Sequence, residues 1–181
     1  CRRSQRTVCR ASHAREPGES SAGAARSTAA LALRSASPSL ERVRHEFDEQ
    51  VRIIEEASPL GTGGALRNAQ DHLDERFFFL NGDSLFDINL WDLALRGKDV
   101  LAALALRHVD DVSRYGPVVL EGNSITRFDG KARAPGPGLI NGGVAVLSRA
   151  VVDHIASDRS VSIENEVYPI LASGGQLIGQ P

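Results

Sequence analysis

Methionine is absent from the 181 residues, and cysteine occurs only as Cys1 and Cys9. Two cysteines inside the first ten residues cannot staple a domain, which excludes a disulfide framework. No apolar run approaches the ~20 residues that span a bilayer. Strong charge of one sign is also missing: the formal net charge is −2, which marks no obvious nucleic-acid or polyanion binder. Position 1 is Cys rather than Met, so the chain as written is expected to be a fragment, a processed chain or a partly misread one. What remains is 41% apolar and 24% charged, enough to bury a core in one domain's length.

The charge is uneven along the chain. Residues 1–40 hold seven Arg, no Lys and two acids, a balance of +5, while residues 41–181 balance at −7. The first segment is rich in Ala and Ser, and its larger aliphatics are Val8, Leu31, Leu33 and Leu40. With no sustained amphipathic period, it cannot offset its ordering entropy. A transit-type leader, a disordered basic arm and a reading-frame error are the three readings, and the last is preferred. The expected division is therefore a non-family segment at 1–40 and a domain at 41–181.

Along 41–181, Val51–Ile54 reads as a strand, Ser58–Gly64 as a loop, and Ala65–Leu73 as helical by spacing. Phe77–Leu80 is a continuous apolar run, the mark of a strand buried on both faces. Ile88–Leu95 predicts a helix and Val100–Leu106 a strand. Pro117–Leu120 and Ile125–Phe128 predict a hairpin about Glu121-Gly-Asn123. A strand at Val144–Leu147, helices at Arg149–Ala156 and from Ser162, and a last strand at Leu177 complete the pattern. Alternating strands and helices predict an α/β fold with a mixed, mostly parallel sheet, and ligands beyond the carboxyl ends of its strands.

The candidate chemistry sits at those ends. Asp83, just past the apolar strand and after Asn81 and Gly82, suits a Mg²⁺ shared with phosphate oxygens, although Asn-Gly-Asp alone is ordinary turn chemistry. Leu60-Gly-Thr-Gly-Gly-Ala-Leu66 opens a helix, and its N–H groups could meet a phosphate or a base edge. It is no Walker loop, and by itself it reads as a turn with Thr62 as helix cap. Tyr115-Gly116, Lys131 and Asn141-Gly142-Gly143 are weak one by one; the last is usual for a turn or bulge.

In this order and spacing the segments are specific. Glu56 with Leu60–Leu66, Leu80-Asn-Gly-Asp-Ser-Leu-Phe-Asp-Ile88, Ser113-Arg-Tyr-Gly-Pro-Val118, Gly138-Leu-Ile-Asn-Gly-Gly-Val144 and Ser162-Ile-Glu-Asn-Glu-Val-Tyr-Pro169 together resemble the sugar-1-phosphate nucleotidyltransferase family. The nearest likeness is to guanylyltransferases acting on mannose- or heptose-1-phosphate. The resemblance implies a Rossmann-like nucleotide-diphospho-sugar transferase fold. It also implies in-line attack of a sugar phosphate oxygen on the α-phosphorus of an NTP, with pyrophosphate released. Mg²⁺ would neutralise the phosphates, so that catalysis is chiefly positioning and electrostatics.

By the same resemblance, Asp83 is a metal ligand and catalytic residue. Gly61, Thr62, Gly63, Asn81 and Gly82 line the nucleotide. Glu56 reads the base, where a carboxylate can take guanine's two adjacent donors. Tyr115, Gly116, Asn141 and Gly142 serve the sugar, with Glu164 a weaker candidate, better read as a first-turn helix acid. Lys131 matches a Lys near the sugar phosphate whose usual preceding Glu is here Gly130, with Asp129 before that. The implied setting is a cytoplasmic enzyme with NTP and sugar 1-phosphate as partners, no nucleic acid or membrane, and homo-oligomerisation open. The family's Gly-Thr-Arg phosphate loop, first strand and second metal Asp have no counterpart in this sequence. The chain as written is therefore expected to have little or no activity, each such electrostatic loss costing ~10²-fold or more. Uridylyl or thymidylyl specificity, a non-catalytic sugar-nucleotide-binding relative and a plain α/β binding domain are the competing expectations.

Overall fold

The apolar runs of the sequence pair into one mixed sheet. A computed structural model of the chain describes residues 7–11, 29–34, 51–82, 84, 87–128 and 135–181. Among them the strands are β1 (Thr7–Ala11), β2 (Ala29–Arg34), β3 (Val51–Glu56), β4 (Arg76–Asn81), β5 (Ala102–Val109), β6 (Pro117–Glu121), β7 (Ser124–Phe128), β8 (Gly138–Ser148) and β9 (Leu177–Gln180). The helices are α1 (Gly61–Asn68), α2 (Leu90–Arg96) and α3 (Tyr168–Ser173). The sheet order is β3-β2-β1-β4-β8-β5-β9-β7-β6, with β6 also touching β8.

The α/β expectation holds and the sheet is mixed. Its parallel pairs, however, are β2–β3 and β5–β9, while the other described pairs are antiparallel. β8 runs antiparallel between β4 and β5, β1 runs antiparallel between β2 and β4, and the β6–β7 hairpin adds to them, so the expected parallel succession is broken in several places. β1 and β2 lie inside residues 1–40, where no strand is read from the sequence. β1 pairs with β4 from Thr7↔Asn81 to Ala11↔Phe77.

Strand alternation divides the core. In β5, Ala102, Leu104 and Leu106 join the larger cluster, which includes Phe77, Phe79, Leu147, Leu171 and Leu177, whereas Ala103 and Ala105 face Leu93 of α2. Period-2 burial on both faces is what a central strand requires. On the larger face Phe128 stacks at a tilt on Tyr168, ring centroids 5.5 Å apart.

Local chemistry sets the ends of α2. Asn89 Oδ1 accepts from Trp91 N at 3.1 Å and Asp92 N at 3.2 Å, an N-cap. Gly97 follows the helix because a Cβ there would stand 2.8 Å from the Ala103 Cβ. The Arg76 guanidinium donates to the carbonyls of Gly97, Lys98 and Val100, tying the start of β4 to the chain entering β5. Burial lowers its pKa, but a guanidinium stays charged. No helix among the described residues is long and apolar enough to cross a membrane.

Candidate functional site

The glycine-rich segment folds differently from its composition. Helix α1 begins at Gly61, inside the expected loop, and Thr62 does not cap it: its N-cap is Leu60, which makes no side-chain cap bond. Gly61 has φ +75°, and a Cβ there would lie 2.5 Å from the Val161 carbonyl oxygen. Gly63 N and Gly64 N donate to that same carbonyl at 2.9 and 3.4 Å, and Val161 N donates back to Leu60 O at 2.8 Å. The expectation that these two N–H groups serve a ligand is therefore corrected, since a carbonyl of the chain already occupies them. The Thr62 hydroxyl accepts from Ile163 N at 3.0 Å. Glu56, at the end of β3, takes the Leu60 N–H on Oε2 at 3.3 Å and closes the loop from the other side, which leaves Oε1 for other donors.

The second group forms around a bulge in β8. Leu104 pairs with Ala145 and Leu106 with Asn141, so Gly142, Gly143 and Val144 face only Ala105 across the ladder. Asn141 Nδ2 donates to Glu164 Oε1 at 2.7 Å, and Asn141 Oδ1 accepts from Gly143 N at 3.1 Å. Glu164 is thus more than the first-turn acid that its sequence position suggests. Gly143 has φ +83°, and a Cβ on it would meet Ser84 at 3.0 Å and Asn81 Nδ2 at 3.3 Å. The bulge and the carboxyl end of β4, with Asn81 and Gly82, therefore meet closely.

Pro117 pairs with Ile140, so Gly116 and Asn141 stand next in register. Tyr115, exposed, donates its N–H to Val112 O in a turn that Asp111 organises by accepting from Ser113 N and Oγ at 2.9 and 2.8 Å. Those bonds, the backbone one first, hold the Asp111 carboxyl below its usual range.

Of the candidates, Glu56, Gly61, Thr62 and Gly63 assemble at α1, and Asn81, Asn141, Gly142 and Glu164 at the β4–β8 end. Asp83 and Lys131, with Asp129 and Gly130, lie outside the described residues. The described residues contain no cluster of three or more metal-ligating side chains. A cleft of about 410 Å³ lined by Asp71, Glu75, Arg149 and Asp153 sits at the other end of β4 and includes none of the candidates.

Sequence reasoning singled out Ser162–Pro169 but missed that this segment joins the two groups. Ser162 Oγ accepts from Asn165 N at 3.3 Å, and Glu166 Oε1 accepts from Ser162 N at 3.0 Å. Arg159 Nη1 pairs with Glu166 Oε2 at 2.5 Å. The Ser162 bond and then Arg159 hold the Glu166 carboxyl below its usual range. The Ser162/Glu166 spacing was the available signal, a relative of the capping box. No local pattern, however, announces a bond to Thr62, 101 residues away.

Comparison with known proteins bears on this arrangement. The chain is 34% identical over 160 residues to mannose-1-phosphate guanyltransferase beta-B of Xenopus laevis, covering 81% of this chain and 44% of that protein. It is 36% identical over 116 residues to D-glycero-alpha-D-manno-heptose 1-phosphate guanylyltransferase of Campylobacter jejuni, covering 64% and 51%. The chain thus spans about half the length of these curated relatives. The crystal structure of HddC from Yersinia pseudotuberculosis superposes with TM-score 0.70 at 25% identity, over 83% of this chain and 68% of that one. Its complex with GMP-PN superposes at 0.61 and 27%, over 73% and 60%. Residues 27–176 match the family described as nucleotidyl transferase, and that match begins within the segment set apart at 1–40. The chain belongs to the nucleotidyl transferase family.

Proposed function

We propose that this chain carries the nucleotide- and sugar-binding part of a sugar-1-phosphate nucleotidyltransferase, with GTP preferred and Mg²⁺ as its cofactor. The observation that carries the reading is the Asn141–Glu164 pair, 2.7 Å apart and hydrogen-bonded through one short segment to the glycine-rich loop. An amide and a carboxylate held together offer donors and acceptors to adjacent sugar hydroxyls. Gly61 and Thr62, both half-buried, leave a low edge on the loop against which a base can lie, and Glu56 keeps Oε1 for the base edge. Names of relatives support the guanine preference: two are guanylyl transferases, and one superposing structure contains GMP-PN.

In the proposed reaction a phosphate oxygen of the sugar 1-phosphate forms a bond to the α-phosphorus while the bond to pyrophosphate breaks. The role of this chain's residues is to hold the two substrates in line. Mg²⁺ typically needs only one or two carboxylates besides substrate phosphates. Asp83 is the ligand proposed, with Lys131 beside the sugar phosphate; when bound, the ion would neutralise phosphate charge.

Binding is the sharper test, because it reads each substrate by itself. Calorimetric titration with GTP, CTP, UTP and dTTP, each with and without Mg²⁺, should give Mg²⁺-dependent binding strongest for GTP. Absence of binding by any of the four would refute the reading. Equal affinities would remove the guanine preference alone.

A further inference from the structure

The side chain of Thr62 faces away from the role that its place in a glycine-rich loop suggests. Its hydroxyl oxygen accepts the N–H of Ile163, a residue only 1% exposed. That bond lies beside three others, from Gly63 N and Gly64 N to Val161 O and from Val161 N to Leu60 O. Residues 161–163 are thereby fastened to the loop by four hydrogen bonds. The next residue is Glu164, which holds Asn141 at 2.7 Å. From the far side, Glu166 braces the same stretch through Ser162 N, and Arg159 holds Glu166. Residues 159–166 form a strut between the loop and the Asn141 bulge.

We propose that Thr62 is a positioning residue for the sugar side: through the Ile163 N–H it fixes Glu164 against Asn141, and so couples the sugar subsite to the nucleotide loop. The inference rests on the functional reading above. A contact residue for the base would leave the sugar side untouched when altered. A strut transmits the change, because the buried Ile163 N–H loses its acceptor and the backbone leading into Glu164 shifts to find another.

The test is calorimetry on the whole chain with a non-hydrolysable GTP analogue and Mg²⁺. A hexose 1-phosphate is then titrated in the presence of the saturating analogue. Thr62→Val should weaken hexose 1-phosphate binding about 5- to 10-fold, more than it weakens binding of the analogue. Thr62→Ser, which keeps the acceptor, should restore the wild-type value. Glu166→Ala, which loosens the strut from its exposed side, should show the same split and carries the test if Thr62→Val does not fold.

A Thr62→Val chain that loses nucleotide affinity and keeps hexose 1-phosphate affinity overturns the strut alone, as does parallel loss of both ligands in every variant. A wild-type chain that binds neither ligand overturns the functional reading, and the strut with it.

Discussion

The two halves of the candidate site are built on opposite plans. The loop at Gly61–Gly64 turns polar groups inward: the N–H groups of Gly63 and Gly64 and the Thr62 oxygen are used on the 161–163 backbone, and its glycines leave no space for a Cβ. The bulge at Asn141–Gly143 does the reverse. Asn141 commits one amide hydrogen to Glu164 and its oxygen to Gly143, and both side chains retain hydrogen-bonding capacity. One half is a shape and the other a set of donors and acceptors. Substitutions of the glycines in the first should therefore act on stability, and removal of the polar side chains in the second on ligands.

The largest expected effect lies in the loop. Gly61→Ala combines a left-handed backbone, which costs of order 1–3 kcal/mol for other residues, with a Cβ 2.5 Å from a backbone carbonyl that cannot rotate away. A loss of about 3 kcal/mol in urea denaturation is expected. A loss below about 1 kcal/mol would show that the loop yields, and would erase the contrast.

Gly143 tests whether the bulge shares that rigidity. Its φ of +83° carries the same backbone cost, but the atoms a Cβ would meet at 3.0 Å belong to the Ser84 side chain. Gly143→Ala should cost about 2 kcal/mol. Adding Ser84→Gly should recover the contact part and leave about 1 kcal/mol of backbone strain, read from the same denaturation curves. No recovery would place the whole cost in the backbone.

Asn141→Ala should separate binding from folding. It deprives Glu164 of its donor and the Gly143 N–H of its acceptor. A sugar 1-phosphate should bind about tenfold more weakly, with a stability change of about 1 kcal/mol or less. Calorimetry and denaturation on the same preparation read both. Unchanged sugar phosphate binding would make the pair structural and turn the bulge into a second shape.

How far these halves were legible in the sequence follows the same division. Strands β3, β4, β6 and β7 fall where β-branched and apolar runs place them, because burial on a pleated face leaves a local record. Asn141-Gly-Gly143 read as a turn or a bulge ahead of a strand; it is a bulge inside a β8 longer than Val144–Leu147. The loop was misjudged. Glycines that look like turn residues are the first turn of α1, and Gly61 and Gly63 are small because Val161, a hundred positions away, packs onto them, while Gly64 makes room for Leu60. Arg149–His154 is a 3-10 turn where an α-helix was expected, and Ile163–Val167 opens the following helix with a π turn. In neither place does side-chain periodicity report which carbonyl the backbone will choose. The sheet direction was hidden too, since an apolar run does not say which way its neighbour points.

The smallest expected effect concerns the brace between the halves. Ser162 N–H first, and Arg159 second, hold Glu166 below the ordinary carboxylate range. A carboxyl whose pKa is lower folded than unfolded stabilises the fold above its unfolded pKa, about 4.3, and that stability is lost as pH falls through the folded value. Glu166→Gln keeps an acceptor for Ser162 and removes the charge facing Arg159. Its melting temperature should fall slightly below wild type at about pH 7, with the gap closing below about pH 4 as the wild-type carboxyl takes up its proton. Arg159 is exposed and Glu166 half-buried, an ion pair at the edge of solvent that contributes little and is screened by salt, so about 0.5 M NaCl should also narrow the gap. No gap at any pH or salt concentration would mean that Glu166 braces Ser162 through the hydrogen bond alone, and the strut would then owe nothing to charge.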